Sequence, residues 1–240
     1  MSEEVIAVVH AKRTSERVAD KNLRLLGDRP LFCHAVDNAL GAQLVDQVVI
    51  DSDSDEILSI GVAHGAVPLK RPHELATNRA TGDDLALWQA RSFPDSLFIL
   101  QVVPTSPFLS PESIDRAVEI LRDEGVDSVV GVFAEALYVW RYGAPAYFRR
   151  DGTIPNSSEM EPVVYETTGL YANRTEAVLR SGRRMNPASC RPLYLSRTEA
   201  IDINTPEDFR FAEIVWQGML MERQRMRAAA VAAVARERAA

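Results

Sequence analysis

The sequence predicts an α/β protein built on a doubly wound, mostly parallel sheet, and three observations carry that expectation. Short runs such as Val5, Ile6, Val8 and Val9 are continuously apolar and β-branched, as strands buried on both faces are. Such runs alternate with segments whose apolar residues recur at helical spacing, the pattern of repeated βαβ units. The chain has 240 residues, 46% hydrophobic and 25% charged, which suits one domain over residues 1–240 with a sizeable core.

The first strand leads from Val5 into a polar loop holding Lys12, Arg13, Arg17, Lys21 and Arg24. A loop at the carboxyl end of a first strand sits where open α/β sheets bind ligands, and its cations suit phosphate oxygens. A bare charge cluster can equally be a solvated loop. Here the position of five cations in a chain of net charge −7 favours a binding loop.

Gly27-Asp28-Arg29-Pro30 turns the chain into a helix over 31–40, with Leu31, Ala35, Val36, Ala39 and Leu40 as its buried stripe. A strand over 45–50 ends in Asp51-Ser52-Asp53-Ser54-Asp55-Glu56, where Ser54 or Asp55 caps the next helix. The alternating Asp residues suggest a metal loop, but its Gly and terminal Glu ligand are absent, so capping and solvation are the preferred reading.

Gly65 closes that helix, 67–69 is a short strand, and Thr81-Gly82-Asp83-Asp84 opens a helix carrying Leu85, Leu87 and Trp88. The run 97–103, LFILQVV, is the most hydrophobic strand and is expected at the centre of the sheet. A helix over 111–124 is capped by Ser110 and ended by Gly125, and a strand over 128–133 follows. From 135 to 162 the rhythm breaks, and it resumes in a strand over 163–171. A strand end at 201–204 then leads into a last helix, whose tail over 222–240 carries five Arg against two Glu and reads as a solvated extension.

The net charge argues against nucleic acid as a partner. Cys33 and Cys190 have no metal-ligand spacing, the first residues lack a basic leader, and no apolar run nears the ~20 residues of a membrane span. The expectation is a cytoplasmic protein with no membrane partner. The four histidines share no metal spacing, and no nucleophile triad, GxxxxGK[ST] or GxGxxG is present.

The segment Ala11-Lys12-Arg13-Thr14-Ser15-Glu16-Arg17-Val18-Ala19-Asp20-Lys21-Asn22 resembles the first motif of the CMP-acylneuraminate and CMP-KDO synthetase group of cytidylyltransferases. Ala11, Ser15, Lys21 and Asn22 match the sialate branch and Arg17 the KDO branch, while Lys12, Arg13, Thr14 and Ala19 depart. In order along the chain, the tail 51–56, Arg71-Pro72-His73-Glu74-Leu75-Ala76, Pro104-Thr105-Ser106-Pro107, Thr168-Gly169-Leu170-Tyr171 and Ile201-Asp202-Ile203-Asn204-Thr205-Pro206-Glu207-Asp208-Phe209 are similar to further segments of that family.

The resemblance implies a nucleotide-diphospho-sugar transferase-like, Rossmann-like fold and transfer of CMP from CTP with release of pyrophosphate. It implies Lys21, Arg13 and Arg17 as the catalytic cations, and Ala11, Lys12, Ser15, Asn22, Arg71, Pro104, Thr105 and Ser106 as nucleotide contacts. Asp202, with Asn204 where the family has a second Asp, would hold Mg²⁺. Gln101, Tyr165, Glu166 and Thr168 would face the acceptor, and residues 135–162 would form the arm of a homodimer.

Val103 stands where the sialate branch has its sugar-binding Gln, and Thr168-Gly169 lacks the preceding Asn; Gln101, two residues earlier on the same strand face, is the expected substitute. Loss of those amides and gain of Arg13 favour a small phosphonate acceptor, such as phosphonoformate or an aminoalkylphosphonate of a natural-product (antibiotic) pathway. The alternatives are a nonulosonic acid (sialic, legionaminic or pseudaminic) or KDO, and a relative that binds nucleotide without catalysis.

Overall fold

The structure is a computed structural model describing residues 3–146 and 154–239. In chain order it runs β1 (Val5–His10), a two-strand hairpin of β2 (Leu25–Leu26) and β3 (Arg29–Pro30), α1 (Leu31–Gly41), β4 (Gln47–Ser52), α2 (Asp55–Ala63) and β5 (Val67–Lys70). Then come α3 (Gly82–Ser92), β6 (Phe98–Val102), α4 (Pro111–Glu124), β7 (Ser128–Glu135) and a hairpin of β8 (Trp140–Arg141) and β9 (Ala144–Pro145). The chain ends with β10 (Val163–Arg174), α5 (Thr175–Ser181), β11 (Cys190–Tyr194) and α6 (Pro206–Ala239).

Among the described residues the main sheet has seven strands in the order β11-β7-β10-β6-β1-β4-β5. The apolar β6 holds its middle position, as its composition predicts. β6, β1, β4 and β5 pair in parallel, as do β11 and β7, whereas β10 is antiparallel to both of its neighbours. The reason is the connection: β7 reaches β10 through the excursion after residue 135 instead of a helical crossover, so the chain returns in the opposite direction.

One face of the sheet packs Ala7, Val9, Ile50, Leu100 and Val102 with α1, α2 and α4 residues such as Phe32, Ile57 and Val118. The other packs Ile6, Val8, Val49 and Ile99 under Ala86 and Ala90 of α3 and Val178 of α5. On that second face the apolar pattern gives way to polar residues toward the strand ends. His10 lies opposite Asp51 and Tyr171 opposite Gln101 in the ladder, and opposed residues share a face.

The caps follow the sequence. Ser54 accepts from the Ile57 N–H, Thr81 and Asp84 form a capping box, Ser110 accepts from the Ser113 N–H, and Gly125 ends α4 at φ 64°. One expectation is corrected, and one strand was not anticipated. Residues 201–204 are extended but join no ladder; their one backbone bond to the strand-end loops is from the Ile203 N–H to the Thr105 carbonyl at 2.8 Å, among the described residues. β11, which carries no strong strand signal, is an edge strand. Ile203 and Phe209 then pack with Val18, Leu26 and Leu31, which fixes the start of α6 beneath the basic loop.

Of the arm expected over 135–162, the β8–β9 hairpin is described, and residues 147–153 lie outside the described residues. Residues 222–239 continue α6. Among the described residues no helix is long and apolar enough to cross a membrane.

Candidate active site

The basic loop meets the 201–204 segment at the carboxyl ends of the strands. Lys21 is buried, and its Nζ donates to the Ile203 carbonyl at 2.9 Å. Burial lowers the pKa of this ammonium, an effect opposed by the nearby Asp202 carboxylate. Asn22 closes the loop by donating to the Lys12 carbonyl at 2.8 Å, and Arg17 Nη2 donates to Asn204 Oδ1 at 2.7 Å.

Asp202 lies at this junction, close enough to Lys21 to oppose the lowering of its pKa. Its Oδ2 accepts from Thr168 Oγ1 at 3.1 Å and from Asn204 Nδ2, while Oδ1 is buried and without a hydrogen-bond partner among the described residues. Thr168 reaches it from a backbone φ of 61°, within a stretch of β10 where the register with β7 shifts. A β-branched residue in the left-handed region is strained, and such strain concentrates at functional sites. Next to it, a Cβ on Gly169 would lie 2.6 Å from Ser106 Oγ, so only glycine fits. Ser106 is itself fully buried, its hydroxyl without a hydrogen-bond partner among the described residues.

Beside this junction opens a cavity of about 200 Å³, lined by Lys12, Lys21 and Asn22 of the basic loop, by His10, Val103, Pro104 and Thr105 at the strand ends, and by Arg71, Leu75 and Thr77 of the segment after β5. Burial, followed by the charges of Arg71 and Arg184, pushes His10 down to about 3, which leaves its imidazole neutral at ordinary pH.

The pattern of the cytidylyltransferase family matches residues 6–222. The chain belongs to that family. It is 32% identical over 230 residues to the CMP-N,N'-diacetyllegionaminic acid synthase of Legionella pneumophila, covering 87% of this chain and 94% of that one. It is 27% identical over 256 residues to the 3-deoxy-manno-octulosonate cytidylyltransferase of Acaryochloris marina, covering 90% and 98%. A solved CMP:2-keto-3-deoxy-manno-octonic acid synthetase complexed with CTP shares the fold, with TM-score 0.68 at 16% identity over 91% of this chain and 99% of that one.

This cytidylyltransferase is thus a CTP-dependent nucleotidyltransferase, and its cleft places the sequence-predicted residues unevenly. Lys12, Lys21, Asn22, Pro104 and Thr105 line the cavity, with Ala11 buried behind it and Ser15 half-buried at the turn of the loop. Arg13 does not turn inward. Its guanidinium pairs with Asp20 and lies 3.6 Å from Glu56, and only its backbone N–H is used nearby, donating to Asp53 Oδ1 at 2.9 Å.

Arg71 reaches the cavity wall, but it is locked from behind. Nε donates to Asp51 Oδ1 and Nη2 to the Asp51 carbonyl, both at 2.9 Å. Asp51, expected in a solvated capping tail, is fully buried, because β4 is flanked on both sides and Arg71 compensates its charge. Asp51 Oδ2 in turn accepts from Gln89 at 2.8 Å, and Gln89 Oε1 accepts from Gln101 at 2.9 Å. Buried polar side chains from four separate segments thereby connect the cavity lining at Arg71 to Gln101.

Of the residues expected to face the acceptor, Gln101 is buried opposite Tyr171 in the ladder, and the Tyr171 hydroxyl donates to Glu166 Oε2 at 2.9 Å. Tyr165 is not part of this group. Adjacent to Glu166 in the strand, it faces the other way and packs edge-on against Phe133 at 5.9 Å between centroids. Asn204, expected as a metal ligand, spends its Oδ1 on Arg17 and its Nδ2 on Asp202, so it braces the carboxylate. Sequence reasoning missed Gln89 and His10, for which no local signal exists, read Asp51 only as part of a solvated capping tail, and passed over Tyr171, whose place in Thr168-Gly169-Leu170-Tyr171 was the available signal.

Proposed function

We propose that this cytidylyltransferase transfers CMP to a 3-deoxy-2-keto sugar acid of the nonulosonic or octulosonic class. The observation that carries the reading is the full-length likeness to the Legionella enzyme named for a legionaminic acid, supported by the Acaryochloris relative named for an octulosonate. The phosphonate expectation loses its support, since Arg13 is turned to Asp20 and Glu56 and the amide of Gln101 is present on the acceptor side.

In this reading the acceptor hydroxyl oxygen bonds to the α-phosphorus of CTP, the α–β anhydride breaks, the hydroxyl proton is released and pyrophosphate departs. Lys21 supplies a fixed, partly desolvated positive charge where negative charge grows on the phosphoryl group. Lys12 and Arg17 offset the remaining triphosphate charge. Gln101 and Thr168 orient the acceptor.

Asp202 fits a magnesium ligand: one hard oxygen is buried and unpartnered, and Mg²⁺ at nucleotide sites uses one or two carboxylates together with phosphates. When bound with CTP, the ion supplies positive charge to the phosphate oxygens. We place the contact of the expected homodimer at the β8–β9 hairpin, where Trp140 and Tyr142 are exposed.

Mass spectrometry of the products tests the acceptor. Incubation with CTP, Mg²⁺ and mixed acceptors yields a CMP-sugar acid, and prior EDTA treatment abolishes it until Mg²⁺ is restored. Formation of a CMP-phosphonate without any CMP-sugar acid would overturn the reading.

A further inference from the structure

We propose that Arg184 is the seat of the acceptor's carboxylate, an inference that rests on the sugar-acid reading above. Its guanidinium carbon lies 3.9 Å from the centroid of the Tyr171 ring. Four other arginines lie over aromatic rings, and each also reaches an oxygen: Arg24 toward Glu213, Arg141 to the Tyr142 hydroxyl, Arg174 to the Leu121 and Val126 carbonyls, and Arg197 to Glu135. Among the described residues, the Arg184 guanidinium has no hydrogen-bond or ion-pair partner.

The side chain is nonetheless held in place. Its backbone N–H donates to Asp83 Oδ1 at 3.0 Å, and the guanidinium packs against Gly82, where a Cβ would overlap Nη1. Beneath it, Tyr171 stands opposite Gln101 in the β10–β6 ladder, and Gln101 Oε1 is a second polar atom that is buried and unpartnered. Gln101 Nε2 also approaches the Gly82 carbonyl at 3.4 Å, so Arg184 and Gln101 flank the same glycine.

The Tyr171 ring offsets part of the hydration that this half-buried guanidinium gives up, but among the described residues no anion or hydrogen-bond acceptor offsets the rest. Its planar fork matches a carboxylate in bidentate geometry. The nucleotide cations Lys12, Lys21 and Arg17 are grouped on the basic loop, whereas Arg184 belongs to the Tyr171 side, which assigns it to the acceptor. The keto acid brings the carboxylate that Arg184 lacks.

The test compares wild type with Arg184→Gln and Arg184→Lys, using each acceptor acid and its methyl ester with CTP and Mg²⁺. Arg184→Gln should raise the acceptor KM by about 30-fold or more, the loss expected on removing one side of a charge pair. The KM for CTP should stay within about threefold, the mark of an effect confined to the acceptor. Wild type should prefer acid to ester, Arg184→Gln should use both equally, and Arg184→Lys should fall between. An Arg184→Gln enzyme that keeps the wild-type preference for acid would overturn the assignment.

The sugar-acid reading is judged separately, by which acceptor the wild type uses. If that is a phosphonate, the reading falls and the same acid-to-ester comparison on the phosphonate decides Arg184. Turnover of neither class by wild type would remove both.

Discussion

Lys21 is a cation that pays for its burial by position: its Nζ is fixed by the Ile203 carbonyl and faced by Asp202. Lys21→Met should therefore lower kcat by about 100- to 1,000-fold, the loss typical of one electrostatic donor. The circular dichroism spectrum should be unchanged, and turnover within threefold of wild type would remove Lys21 from the mechanism. Gly169→Ala would push a Cβ to 2.6 Å from Ser106 Oγ, and we expect about 1–3 kcal/mol of destabilisation in urea unfolding. That Lys21, Asn22 and Asp202 come together at one end of the sheet was legible in the sequence because they stand within ordered motifs. Arg13 and Tyr165 were misread because a motif position does not say which way a side chain turns. Two acids captured Arg13, and strand alternation sent Tyr165 to the opposite face.

The elements were largely readable, because caps and apolar periods are local signals. Ser54, Thr81 and Ser110 all cap the helices their positions announced. What local pattern could not reveal is how elements meet. The antiparallel direction of β10 depends on the excursion before it, and the Arg71-Asp51-Gln89-Gln101 chain joins β4, the loop after β5, α3 and β6. Arg71→Met tests that chain. It leaves the Asp51 charge buried and unpaired, which should cost about 3–5 kcal/mol of stability. A urea midpoint equal to wild type would show that the pair does not hold these elements together.

At the scale of the whole molecule, two groups make stability depend on pH in the same direction. His10 falls to about 3 from an ordinary 6.5, through burial first and then the charges of Arg71 and Arg184. Burial alone would raise the Glu199 carboxyl, but hydrogen bonds from Ser110, Ser113 and Ser196 outweigh it and bring the group to about 2 from 4.5. Both pKa values are depressed by folding, so the unfolded chain binds more protons and stability rises with pH. The contribution is complete above pH 6.5 and is lost on acidification, through His10 below 6.5 and then through Glu199 below 4.5. Melting temperatures taken from pH 7.5 down to pH 4 should fall, and a His10→Asn variant should flatten the part between 6.5 and 5. A flat wild-type profile would contradict the assignment.

The most direct measurement is the initial rate of pyrophosphate release from each of CTP, UTP, ATP and GTP with 3-deoxy-2-keto sugar acids and with phosphonates, in wild type and Lys21→Met side by side. The account predicts release by wild type that requires CTP and a sugar acid together and is nearly lost in the variant. Release that proceeds equally with another nucleotide, that needs a phosphonate instead, or that survives in Lys21→Met would contradict it.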